Sequence, residues 1–124
     1  MRFRAEQHLR RQHEIRAVRE QGRRIDCRAF TLWWKAREAK AGETEAPRVC
    51  VIASTAAVGA AVQRNRAKRR LRELFRQQQH RVPARCDLLL IARAAATECP
   101  MPELEQKFAD ACQRIGPHRT VQAG

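Results

Sequence analysis

Apolar residues that recur every three or four positions predict three amphipathic helices in this chain. The first covers residues 12–21 and ends at Gly22, a residue typical of helix C-termini. The second covers residues 60–79. The third begins near Pro102, a good first helical position, and its apolar pattern stops at Gly116. The helical pattern therefore accounts for roughly two fifths of the chain.

Apolar residues that alternate with polar ones, or that run together, predict three strands. The first strand covers residues 29–34, and the second covers residues 48–54. The third covers residues 87–93, whose nearly continuous apolar run is typical of a strand buried on both faces. Three side chains of the first strand share one face: Phe30, Leu32 and Trp34.

These elements follow one another in the order α-β-β-α-β-α, which predicts a small α+β sandwich of helices packed on a sheet. We find no internal repeat and no sign of a second domain in the 124 residues. The predicted organisation is a basic, mobile N-terminal arm over residues 1–11, one α+β domain over residues 12–116, and a C-terminal tail over residues 117–124.

The charge balance adds a class of partner to this picture. There are 26 Lys and Arg against 13 Asp and Glu, which gives a net charge of +13. Such a charge repels itself in a folded domain, and a polyanion would neutralise it. Nucleic acid is the first candidate and an anionic membrane surface the second. The sequence shows neither a secretory h-region nor an apolar run long enough to span a bilayer, so we expect a cytoplasmic protein.

The helix over residues 60–79 separates its charge from its apolar residues. On a helical wheel, one stripe consists of Ala67, Leu71, Leu74 and Phe75. The opposite face consists of Asn65, Arg69, Arg72 and Arg76, which we call the ridge. Only one acid, Glu73, stands among the cations of this helix, whereas a helix that is merely soluble mixes both signs. The ridge is therefore predicted to bind RNA or DNA.

Catalytic chemistry within the chain is not indicated. Two-metal phosphodiester hydrolysis needs clustered carboxylates, and the three Asp residues stand far apart in the sequence. The five cysteines are odd in number and form no C-x-x-C, so we expect buried, reduced thiols and neither disulfides nor a zinc site. No helix-turn-helix, zinc finger or heptad zipper is present, which favours structured RNA over base-reading DNA recognition.

One motif goes further than this physical argument. Val58-Gly59 and Ala61-Val62 are followed by R-N-R-x-K-R-x-x-R-E from Arg64 to Glu73, and this string resembles the RNR motif of the bacterial ribonuclease P protein subunit. The resemblance extends more weakly to the first helix, to the strands that contain FTLWW and DLLLIAR, and to the last helix.

The resemblance implies a fold and a function. The fold is a two-layer sandwich of helices on a mostly antiparallel sheet, like the second domain of ribosomal protein S5, with the order α-β-β-β-α-β-α and a left-handed crossover. The partners are the catalytic RNA of ribonuclease P and precursor tRNA, whose 5′ end the complex matures. Hydrolysis is expected from the RNA with Mg²⁺, so no catalytic residue is expected in this chain.

The resemblance also implies which side chains bind. Those expected to contact the catalytic RNA are Arg64, Asn65, Arg66, Lys68, Arg69, Arg70, Arg72 and Arg76. The 5′ leader is expected in a cleft between the first helix and one sheet face, contacting Ile15, Phe30, Leu32 and Trp34. Plain core packing is an equally good interpretation of the last three.

The chain also departs from the family pattern. The residues ahead of the motif, Ser54-Thr55-Ala56-Ala57, carry no charge where many members have two basic residues, and Ile15 stands where an aromatic is common. The binding to RNA is therefore expected to be concentrated on the helix. Two alternatives stay open: a ribosomal or other structural RNA-binding protein, and a stand-alone nuclease.

Overall fold

The computed structural model of the chain describes residues 8–38, 41–42 and 44–123, with side chains up to residue 115. Two short 3-10 helices, Gln79–Arg81 and Ala94–Thr97, follow the second long helix and the last strand. The remaining elements, in chain order, are α1 (Gln12–Gln21), β1 (Arg23–Asp26), β2 (Phe30–Ala36), β3 (Arg48–Ile52), α2 (Thr55–Val58), α3 (Ala61–Gln78), β4 (Cys86–Ala92) and α4 (Met101–Ala123).

The four strands form one sheet in the order β1-β2-β4-β3. The β1/β2 and β2/β4 pairs are antiparallel, and the β3/β4 pair is parallel, with α2 and α3 in the connection between its strands. The mostly antiparallel sandwich with α-β-β-β-α-β-α order is therefore confirmed. None of the helices in the described part of the chain is long and apolar enough to cross a membrane.

Strand β1 is missing from the element order predicted by the apolar pattern. With β1 included, three strands precede the long basic helix, as the resemblance implies. The four residues of β1, RRID, are exposed except for Ile25, so they show no alternating apolar pattern. The FTLWW segment is therefore part of the second strand of the sheet and not of the first.

The two faces of the sheet bury different side chains. Helices α3 and α4 cover one face, and the cluster there includes Phe30, Leu32 and Trp34, which are 0 %, 0 % and 7 % exposed. Helix α1 covers part of the other face, where Val18 packs on Leu89. The predicted leader cleft between α1 and these three side chains is therefore wrong. Phe30, Leu32 and Trp34 point to the opposite face of the sheet and form the core.

Gly22 ends α1 as predicted, and the reason is close packing. Its φ is −85°, a conformation open to any residue. A Cβ atom at this position would lie 2.4 Å from the carbonyl oxygens of both Val18 and Trp34. The absence of a side chain therefore allows α1 to pass directly over the backbone of β2.

Two predicted boundaries at the ends of the chain are wrong. The last helix continues past Gly116 to Ala123, although Gly116 and Pro117 are both unfavourable inside a helix. At the other end, His8 forms a parallel bridge with Val49, and the Leu9 amide donates to the Val49 carbonyl at 2.9 Å. Residues 8 and 9 of the predicted mobile arm are thus fixed on the edge of β3; residues 1–7 lie outside the described residues.

A buried ion network fixes the end of the sheet that lies next to α1. Asp87 is 5 % exposed and accepts hydrogen bonds from Arg37 at 2.6 Å and from Arg48 at 2.8 and 2.9 Å. Arg48 also contacts Glu14 of α1 at 3.2 Å, and Arg37 donates to the carbonyls of residues 44 and 46. One carboxylate therefore joins β4, β3, α1 and the β2–β3 connection.

The five cysteines are free thiols, as the sequence predicts. Four are buried, and Cys50 is half-buried on the α1 side of the sheet. Burial raises the pKa of Cys27 to about 11 and that of Cys112 to about 12, so both are neutral at physiological pH.

Candidate nucleic-acid interface

Helix α3 is held on the sheet by the stripe that its sequence predicts. Ala67, Leu71, Leu74 and Phe75 are all 0 % exposed and belong to the main core. Burying these side chains fixes the rotation of the helix about its axis. The ridge on the opposite face must then point to solvent.

The side chains at the centre of the ridge have no partner among the residues that the structure describes. Asn65, Arg69 and Arg72 are exposed, and Lys68 beside them is half-buried. Within the described residues, none of these four side chains takes part in a hydrogen bond or an ion pair. Their donors are available to an external acceptor, and guanidinium groups suit phosphate oxygens in particular.

Arg66 and Arg70, one turn apart, bind the protein itself. The Arg66 guanidinium donates to the Thr97 carbonyl at 2.8 Å, and Arg70 donates to the carbonyls of Ala96, at 2.7 Å, and of Cys99. These bonds attach α3 to the 3-10 helix that precedes α4. Two of the eight residues predicted to bind RNA are therefore engaged in holding the fold.

At the far end of the ridge, Arg76 forms an ion pair with Glu73. The Arg76 Nε lies 2.9 Å from Glu73 Oε1, and Gln77 donates to the other carboxylate oxygen at 2.7 Å. The hydrogen bond from Arg76 lowers the pKa of Glu73, and the same contact raises the pKa of Arg76. The positive charge of the ridge is thus partly neutralised at this end.

Arg64 lies near the apolar edge, as the wheel predicts. It is half-buried, and its Nε atom is buried without a hydrogen-bond partner in the described part of the chain. A buried guanidinium nitrogen without an acceptor is costly, so an acceptor supplied by a bound partner would be favourable here.

The uncharged segment ahead of the motif forms a single helical turn, α2. Ser54 caps it by accepting a hydrogen bond from the Ala57 amide at 3.1 Å. Gly59 then has a φ of 116°, a conformation that side-chain-bearing residues rarely adopt, and α3 starts two residues later. The glycine of the motif is therefore required by the turn between the two helices.

Two cavities connect the ridge to the face of the sheet that α1 covers. One, of about 530 Å³, is lined by the ridge together with His8 and Glu73. The other, of about 310 Å³, lies between α1 and β3 and is lined by Ile15, Cys50 and Arg72 among others. His8 and Arg72 line both cavities, so the ridge and the α1 cleft form one continuous surface.

Trp33 carries an aromatic side chain on the α1 side of the sheet. It is half-buried, pairs in register with Leu89, and lies under the Arg19 guanidinium at 5.2 Å from the ring centroid. Trp33 is absent from the predicted leader residues because that prediction follows the face that carries Phe30. The same alternation assigns Trp33 to the opposite face, so the signal was present. Ile15, the remaining predicted leader residue, lines the cavity between α1 and β3.

The site offers no evident set of metal ligands. No group of three or more His, Cys, Asp or Glu side chains within the described residues is arranged to hold a metal ion. Glu73, the acid in the ridge cavity, is bonded to Arg76 and Gln77. The interface is a cationic surface whose guanidinium groups suit phosphate oxygens.

Comparison with known proteins gives a consistent family. The Ribonuclease P family model matches residues 3–116. The ribonuclease P protein component of Symbiobacterium thermophilum is 49% identical over 59 residues, which cover 48% of this chain and 51% of that protein. The component of Desulfatibacillum aliphaticivorans is 33% identical over 110 residues, or 89% of this chain and 88% of that protein.

Solved structures show the same fold. The RNase P protein from Thermotoga maritima superimposes with a TM-score of 0.71 at 19% identity, covering 86% of this chain and 96% of that one. The RNase P protein of Staphylococcus aureus superimposes with a TM-score of 0.68 at 21% identity, covering 88% and 94%. The chain therefore belongs to the Ribonuclease P family, whose members are the protein component of the ribonuclease P endoribonuclease.

Proposed function

We propose that this chain binds the catalytic RNA of ribonuclease P through the ridge of α3 and holds the 5′ leader of precursor tRNA in the α1 cleft, within a cytoplasmic ribonucleoprotein. Together the two contacts promote endonucleolytic maturation of the tRNA 5′ end. The RNA performs the hydrolysis, and the protein supplies binding and orientation.

The observation that carries this proposal is the set of unpaired donors on α3. Asn65, Arg69 and Arg72 are exposed and without partners in the described part of the chain, although acids are available elsewhere on the protein. A row of like charges on one helix face is unfavourable in the free protein. Phosphates of an RNA backbone reverse that cost and release counterions from the RNA.

The cleft supports a role in holding single-stranded RNA. Trp33 packs against the same hydrophobic cluster as the cleft residues Ile15 and Cys50 and has a guanidinium above its ring, and bases stack on both kinds of group. Ile15 adds an apolar contact on the α1 side of the cleft. The leader would then follow the continuous surface from this cleft to Arg72 at the ridge.

Magnesium belongs to the RNA in this proposal. Three arginines line the ridge cavity and repel a divalent metal ion, and Glu73 in that cavity is already bonded to Arg76 and Gln77. The role of the protein toward Mg²⁺ is indirect: its cations screen the phosphates and so lower the metal concentration that the complex needs.

A reconstitution assay tests the proposal. The purified protein is added to the catalytic RNA at low Mg²⁺, and cleavage of the 5′ leader from precursor tRNA is followed. We expect stimulation only when protein and RNA are both present, and loss of stimulation in the double variant Arg69→Ala/Arg72→Ala. The control Arg81→Ala/Arg114→Ala removes the same charge at exposed positions away from the ridge and should stimulate normally.

Two other results would contradict the proposal. Cleavage by the protein alone would indicate a stand-alone nuclease. Tight binding to structured RNA without any stimulation would indicate a structural RNA-binding protein.

A further inference from the structure

His8 is held in place at the point where the two cavities meet. His8 forms a β-bridge with Val49, and the Leu9 N–H donates a hydrogen bond to the Val49 carbonyl. Both contacts use main-chain atoms. The side chain of Leu9 is 2 % exposed and packs with Val18 and Leu89, so apolar burial also holds this segment on the sheet. The imidazole of His8 is therefore presented to the cavities by a fixed backbone.

The surroundings of His8 are cationic. From α3, the side chains that line its cavity include Arg69, Arg72, Glu73 and Arg76, and Glu73 is already paired with Arg76. From the N-terminal segment comes Arg10, from β3 the thiol of Cys50, and from α1 the apolar Ile15. Partial burial, and the charges of Arg10 and Arg72, hold the pKa of His8 below its ordinary value. In the free protein the imidazole of His8 is therefore harder to protonate than that of an ordinary histidine.

We infer that a phosphate of the bound RNA lies between His8 and Arg72, and that His8 takes up a proton when it binds. The inference rests on the proposed function, since it needs RNA on this surface. It adds a residue outside the RNR motif to the interface. It also makes the N-terminal segment the link between the ridge and the cleft.

Phosphate binding and protonation of His8 favour each other for an electrostatic reason. A phosphate next to Arg72 compensates the charge that disfavours imidazolium, and it accepts a hydrogen bond from the protonated ring. The pKa of His8 is then higher in the complex than in the free protein. Binding must therefore strengthen as the pH falls through the interval between the two values. If RNA raises this pKa by one unit, the affinity gains at most about tenfold.

The test measures the dissociation constant of the protein and the catalytic RNA at pH 7.5 and pH 5.5, at constant ionic strength. We expect the wild type to bind about five- to tenfold more tightly at the lower pH, and His8→Gln to change by less than about twofold. His8→Lys, a permanent cation, should bind tightly at both values. Calorimetry at pH 6.5 in two buffers of different ionisation enthalpy should show proton uptake by the wild type and less by His8→Gln.

His80→Gln is the matched control, because His80 is exposed on the 3-10 helix after α3 and does not line either cavity. It should keep the pH dependence of the wild type. Titration of RNA bases is common to all variants and cancels in the comparison. Equal pH dependence in the wild type and His8→Gln, with binding intact, would overturn this inference alone. Failure of the wild type to bind the catalytic RNA at any pH would overturn the proposed function and this inference with it.

Discussion

Neighbouring arginines on α3 differ in their partners because each residue turns the helix by about 100°. Arg69 and Arg72 extend into solvent, whereas Arg66 and Arg70 reach the carbonyls of residues 96, 97 and 99. The same residue type thus serves two purposes in one short motif. A guanidinium is suited to both, since its five donors can satisfy phosphate oxygens or main-chain carbonyls.

The structure predicts that Arg70→Ala destabilises the fold without weakening the contact of the ridge with RNA. Hydrogen bonds from a charged donor contribute about 1.5–3 kcal/mol, and two carbonyls lose their donor here. We expect a loss of about 2 kcal/mol in the free energy of unfolding, measured in urea. Arg69→Ala should leave the unfolding curve nearly unchanged, because Arg69, one residue away, has no partner among the described residues. Equal stabilities of the two variants would contradict this assignment.

Gly22 allows a second prediction for a single residue. An alanine Cβ would overlap two main-chain oxygens at 2.4 Å, and backbone cannot move aside as a flexible side chain can. Gly22→Ala should therefore cost about 3 kcal/mol of unfolding free energy, at the upper end of the range for overpacking. Gly42→Ala is the comparison: its φ is 86° with open space around it, so only a backbone cost of about 1–2 kcal/mol is expected. Thermal and urea unfolding measure both variants. A larger loss of stability in Gly42→Ala than in Gly22→Ala would contradict the prediction.

At the scale of elements, α1 and the β2–β3 connection depend on the carboxylate of Asp87. Asp87→Asn leaves Arg37 and Arg48 in a buried site without their shared counter-charge, which should cost about 3–5 kcal/mol. Asp26 is the matched acid, because its pair with Arg93 at 3.3 Å is largely exposed to solvent. Asp26→Asn should unfold at nearly the same urea concentration as the wild type. A small effect of Asp87→Asn would mean that the network does not hold these elements.

The elements with a clear apolar period could be predicted from the sequence. The bounds of α1 are as predicted, α3 differs by one residue at each end, and β2, β3 and β4 differ by one or two. The failures have physical causes. Strand β1 is an edge strand that buries one side chain, so no alternation marks it. Helix α4 continues past Gly116 and Pro117, two residues that are unfavourable inside a helix and that the sequence pattern therefore treats as a stop signal.

The candidate site could be predicted only where it lies on one element. The apolar stripe of α3 fixes the direction of the ridge, and both follow from residues 64–76 alone. Nothing in the sequence brings residue 8 next to residue 72, or Arg66 to the carbonyl of residue 97. Those contacts depend on tertiary packing between segments that are distant in the chain.

Over the whole molecule, the excess of positive charge is not spread evenly over the surface. Helices α3 and α4 bury one face of the sheet, and the outward side of α3 carries Arg69 and Arg72, which have no partner in the described part of the chain. The cleft beside α1 lies on the other face, and the edge of β3 with the N-terminal segment connects the two. An RNA can therefore pass around this edge of the sheet and contact both faces. The net charge of +13 accelerates its approach.

If the ridge of α3 binds ribonuclease P RNA, the affinity must depend on salt through the phosphate contacts of its arginines. Each phosphate contact adds about 0.7–0.9 to the negative slope of log K against log salt. Removing two contacts in Arg69→Ala/Arg72→Ala should flatten the slope by about 1.5, while circular dichroism shows an intact fold. The charge-matched Arg81→Ala/Arg114→Ala should flatten it by less than about 0.5. An unchanged slope in the ridge variant, or an equal change in the control, would contradict the account.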